Sequence, residues 1–145
     1  MNANPEAAAH EEAFVHAFIQ KDFRHRMLFE LGMRRGHFMG RFSHGALVYL
    51  EPRWVTEIKP PNSDRAETLR LLRSKGAPEM CYALSMSDDI DGRVLPLSEA
   101  LAVAVGYGSP TILSCRPGEL AYLETEQVQG PPDRYLLSCP PVLHR

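Results

Sequence analysis

The sequence predicts an α+β domain: N-terminal helices followed by a small, largely antiparallel sheet in the order strand–helix–strand–strand–strand. Three observations carry this. Apolar residues between Glu11 and His44 recur every three or four positions, as on one face of a helix. After Pro78 the pattern changes to alternation. The last third of the chain then divides into short apolar runs separated by turns rich in Pro and Gly.

The first ten residues are small and polar and read as a flexible arm, which leaves residues 11–145 as a single domain. Phe14 and Phe18 lie four apart, as do Phe23, Met27 and Leu31, and then Phe38 and Phe42. The stretch from Gly32 to Gly36 divides this helical region into separate pieces. A short segment follows at Pro52 to Ile58, and Lys59-Pro60-Pro61-Asn62 reads as a stiff connector. Ser63 or Asp64 caps a helix running to about Lys75, with Gly76 and Pro78 as its stop. From Met80 to Met86, Met80, Tyr82, Leu84 and Met86 share one strand face, and Cys81, Ala83 and Ser85 the other. Ser87 to Gly92 is a turn, and Leu97 to Val105 is a short helix that stops at Gly106-Tyr107-Gly108. Strands are expected at Thr111–Cys115, Leu120–Thr125 and Arg134–Cys139, joined by turns at Pro117-Gly118 and Gly130-Pro131-Pro132-Asp133.

Composition excludes several classes. The 145 residues are 44% hydrophobic with a formal net charge of −2, which suits a chain that builds a core and argues against disorder. The near-neutral total also excludes a uniformly basic nucleic-acid coat. No apolar run reaches the roughly 18 residues of a membrane span, and the N-terminus lacks a signal-peptide pattern. Three cysteines without metal-ligand spacing fit neither a disulfide framework nor a zinc site and point to a reducing, cytoplasmic setting. No cofactor is implied. Cys115 reads as a small hydrophobe at a strand end, or more sharply as a thiolate whose pKa is lowered by Arg116.

Charge is unevenly spread. Residues 21–44 contain six basic side chains and two acids, a local +4 that leaves −6 for the rest, and three of the six histidines. On a helical wheel Arg26 sits away from the apolar arc with Asp22 and Glu30 four residues off, a local ion-pair explanation. Arg24 falls inside that arc, beside Phe23, Met27, Leu28 and Leu31, with no acid three or four residues away. It must snorkel, find a distant carboxylate or face a ligand. If the following stretch is helical, Arg34, His37, Arg41 and His44 align in one stripe beside Phe38 and Phe42. Arg and His in a row suit an anion. The expected partner is therefore a phosphorylated small molecule or nucleotide, a nucleic-acid backbone or an acidic protein surface, with no membrane. The alternatives are a phosphodiesterase or nuclease-like hydrolase using His37 or His44 with arginine, and a non-catalytic homodimer formed through Phe38 and Phe42.

Other signals carry less. His37 and His44 are too far apart along a helix to share a metal ion. Ser87 to Gly92 resembles the start of a calcium loop but has Ser98 where the twelfth-position Glu belongs. Glu124 and Glu126 share a strand parity and read as part of a solvated sheet face. Trp54 can stack on a base, but a lone tryptophan is more often a packing anchor.

Overall fold

A computed structural model describes residues 4–59, 64–128 and 130–141. Helix α1 spans Pro5–Phe18, α2 Lys21–Met33 and α3 Arg35–Gly40. Two single 3-10 turns follow, Ala46–Val48 and Pro52–Trp54, and the second leads into strand β1, Val55–Glu57. Then come α4 (Arg65–Ser74), β2 (Met80–Ser85), β3 (Val94–Pro96), α5 (Leu97–Ala104), β4 (Thr111–Arg116), β5 (Leu120–Glu124) and β6 (Arg134–Ser138). The fold is α+β, as the sequence predicts.

Of the arm expected through His10, Pro5 to His10 are instead the first half of α1, and residues 1–3 lie outside the described residues. The Asn4 side chain accepts hydrogen bonds from the backbone N–H groups of Glu6 and Ala7, and Pro5 occupies the first helical position. Asn-Pro-Glu is thus a cap, a preset φ and a favourable first-turn acid in succession. The helix is held down because His10 is buried and its Nδ1 lies 2.6 Å from Ser114 Oγ. Asp64 caps α4 by accepting from the Glu67 N–H, whereas Pro60 to Ser63 lie outside the described residues.

The six strands form one sheet in the order β1-β6-β5-β4-β2-β3, and every neighbouring pair is antiparallel. Both edge strands are only three residues long, too short for alternation to mark them in the sequence, and such short edges offer little to a foreign strand. Strand parity sorts side chains between two cores. Tyr82, Leu84, Ile112, Leu123 and Leu137 join the residues of α1 to α3. Cys81, Ala83, Leu113, Tyr122 and Leu136 join Leu72 of α4 and the apolar side of α5. The central strands are therefore buried on both faces, and the sheet is the middle of three layers. Phe38 and Phe42 are fully buried in the first core, packed on each other, with Phe42 also against Phe14. They cannot form the homodimer surface expected of them. No helix among the described residues is long and apolar enough to cross a membrane.

The turn between α1 and α2 is fastened to the segment before the Pro52–Trp54 turn. Gln20 N–H donates to the Tyr49 carbonyl and Glu51 N–H to the Phe18 carbonyl, each at 2.8 Å. The Gln20 side-chain amide adds bonds to the carbonyls of Val48 and Leu50. These bonds bring the start of α2 beside Arg53 and Trp54.

Candidate functional site

The cationic stripe does not form. Arg34 leaves helical geometry (φ −145°, ψ 63°) and separates α2 from α3, which ends at Gly40, so His44 lies beyond any helix. Arg41 is closed off by Glu30, donating through Nε and Nη2 at 2.7 and 2.6 Å, and its guanidinium lies 5.1 Å from the Tyr49 ring centre. His37 approaches the same carboxylate at 3.6 Å. The hydrogen bonds from Arg41 hold Glu30 below the ordinary carboxylate range against the opposing effect of burial. Glu30 thus pairs with Arg41, just past the end of α3, and Arg26 four residues away acts on it only through its charge. His44 lies 3.8 Å from Glu126, in a separate cleft that also holds Asp133. Two carboxylates make that cleft a poor place for an anion. Arg34 is exposed. Of the five expected binding residues, the structure leaves Arg24 in a position to meet a ligand inside a cleft.

Arg24 donates through Nε to the Ile19 carbonyl at 2.9 Å, so the side chain closes the C-terminal end of α1 with a cation. That bond fixes the stem. The guanidinium lines a cleft of about 490 Å³, bounded also by α1, the Pro52–Trp54 turn, the β4–β5 turn and the end of β6. His16 comes from the α1 side, with the small residues Ala13 three positions before it and Ala17 next to it. Arg53 and Trp54 come from the turn, with the Arg53 guanidinium 4.9 Å from the Trp54 ring centre. Gly118 brings the β4–β5 turn close to α1. It adopts φ +71°, and an added Cβ would meet Ala13 Cβ at 3.3 Å. The acid on this wall, Glu119, pairs with Arg116 at 3.3 Å. The cleft therefore gathers two guanidiniums, an imidazole and an indole around one space.

Other polar groups are committed to the fold. Arg35 donates to Glu11 at 2.8 Å and to both oxygens of Asp91 at 3.0 and 3.2 Å, and Tyr82 donates to Glu11. Burial opposes the Arg35 charge, but the bonds to Asp91 and Glu11 outweigh it and keep the guanidinium charged. Asp91 also accepts from the Ser85 N–H, so the acidic turn is used to tie α3 and α1 to the sheet. Glu124 is not on a solvated face: it is fully buried, accepting from Tyr122 Oη, Arg134 Nε and Gly106 N–H. All three cysteines are free and buried, and burial raises the Cys115 thiol pKa despite Arg116. That removes the thiolate reading. Among the described residues no group of three His, Cys, Asp or Glu side chains is placed to hold a metal ion.

The class defined so far is a helix-covered antiparallel sheet domain with an Arg/Trp cleft at one end of α1. Comparison with known protein families, curated proteins and solved structures found no match. His16 and Arg53 were not singled out in the sequence because neither belongs to a periodic pattern with Arg24. The one local signal was Pro52-Arg53-Trp54, a cation beside the lone indole.

Proposed function

We propose that the protein is a binding domain that holds a small phosphorylated ligand in the cleft between α1, the start of α2 and the Pro52–Trp54 turn. The observation that carries this reading is Arg24. Its stem is fixed by the Ile19 carbonyl, its guanidinium lines the cleft, and no carboxylate among the described residues pairs with it. A planar fork held in place loses little freedom when it grips a phosphate. Arg53 supplies a second guanidinium whose ion pair with Glu51 (3.3 Å) is exposed and therefore weak. His16 adds a ring nitrogen that can donate a hydrogen bond from the α1 side. The cleft volume lies in the range of small-molecule sites. Three free, buried cysteines fit a reducing cytoplasmic setting. Binding is preferred to hydrolysis by His37 or His44, because each is engaged by a different carboxylate and neither lines this cleft.

The test is a thermal-shift panel of inorganic phosphate, sulfate and sugar phosphates. Ligand at about a hundred times its Kd raises the stability by roughly 2.7 kcal/mol. Arg24→Gln is expected to abolish the shift, and Arg34→Ala, outside the cleft, to leave it intact. A panel in which nothing shifts the wild type, or in which Arg24→Gln shifts as the wild type does, overturns the proposal.

A further inference from the structure

We infer that the ligand is a mononucleotide whose base stacks on Trp54 while Arg24 and Arg53 hold its phosphate, an inference that rests on the reading of the cleft as a phosphate site. Phosphate needs only the guanidiniums. The indole is the added information, because it gives the same cleft a flat aromatic surface. Trp54 is only partly buried: one part packs against the first core, and its ring carries the Arg53 guanidinium at 4.9 Å. A planar cation on the ring shows that a planar group fits there. Arg53 is held by weak contacts, with 70% of its side chain exposed and an exposed carboxylate contact at 3.3 Å. A base can take its place on the indole, and the displaced guanidinium then turns to the phosphate. The small side chains of Ala13 and Ala17 are taken up by the close approach of Gly118, so the open side of the cleft is the one that Arg24, Arg53 and Trp54 line.

A nucleic-acid strand fits less well. Strand binders combine a row of backbone-tracking cations with several stacking aromatics. Here Arg41 is closed by Glu30, His37 and His44 face carboxylates, and the cleft offers one indole. One base and one phosphate cluster match what the cleft presents.

Trp54 is the single tryptophan of the chain, so its fluorescence reports this cleft directly. The full-length protein is titrated with AMP, UMP, adenosine and ribose 5-phosphate, with calorimetry in parallel. AMP is expected to quench the emission and to bind at least about fivefold tighter than ribose 5-phosphate, the lower end of what one stacked base contributes. Trp54→Leu is expected to bring AMP down to the affinity of ribose 5-phosphate. If that variant does not fold, the wild-type ligand series decides alone. Equal affinities for AMP and ribose 5-phosphate overturn the nucleotide and leave the phosphate site standing. No binding by either overturns both. A short oligonucleotide that binds far tighter than AMP, with a salt slope of several phosphates, also overturns the mononucleotide in favour of a strand.

Discussion

Arg41 and Arg24 belong to the same basic stretch and are equivalent in any count of charge, yet folding gives them opposite situations. Arg41 meets both oxygens of a buried carboxylate and lies against Tyr49, so its charge is consumed by the fold. Arg24 is fixed by one backbone carbonyl and keeps the rest of its guanidinium for the cleft. The difference shows that a local excess of charge locates a ligand site only after internal counter-charges are assigned. Glu30 and Glu126 stand against three of the expected binding residues, Arg41, His37 and His44. What remains lies at the other end of the segment, joined by two residues from a distant turn.

From that contrast, stability is expected to depend on closed pairs and ligand binding on open ones. The largest effect is expected on the far side of the sheet, where Glu124→Ala leaves the Arg134 guanidinium buried without its carboxylate. Breaking a buried pair in this way costs about 3–5 kcal/mol, read from chemical denaturation. Glu30→Ala is expected to cost somewhat less, about 3 kcal/mol, because Arg41 keeps its contact with the Tyr49 ring. Arg24→Gln should cost below about 1 kcal/mol by the same measurement, since it removes one partly exposed bond to a helix end, while abolishing phosphate binding. An Arg24→Gln variant as unstable as Glu30→Ala would collapse the distinction between the two arginines.

The smallest expected effect is on pH dependence. Burial lowers the His10 pKa below its ordinary 6.5, with Glu6 opposing. The unfolded chain therefore takes up the proton more readily, and the stabilisation present above 6.5 declines as pH falls below it. Glu30, held low by Arg41, acts further down: its contribution is complete above 4.5 and is lost as pH falls through its lower folded value. His10→Asn should flatten the melting-temperature change between about pH 7.5 and about pH 5.5, by a few degrees at most. An unchanged slope would show that His10 does not carry this part of the pH dependence.

Much of the fold was legible. Helical spacing from Phe14 to Phe38, the cap at Asp64 and the alternation from Met80 each act over a few residues, and each appears where its pattern predicts, whereas Phe42 lies past the end of the last of these helices. The first half of α1 carries little helical pattern in the sequence, because small residues after the Asn4-Pro5 start give no apolar periodicity. The two edge strands left no pattern because three residues do not establish a period. At the site, Arg24 stood out for lacking a local acid, and the structure keeps it so. Arg41 carried no such mark, since its partner lies eleven residues away across a break in the helix.

The sequence by itself determined the order and kind of the elements, the single excess of positive charge and the isolation of Arg24, because periodicity, capping and near-neighbour charge are local. Tertiary structure decided which charges remain available. Coulomb attraction and desolvation act through space, so the spending of Arg41 on Glu30, of His44 on Glu126 and of Arg35 on Asp91 could be settled only once the chain had brought those groups together. The same folding placed His16, Arg53 and Trp54 around the arginine that was left.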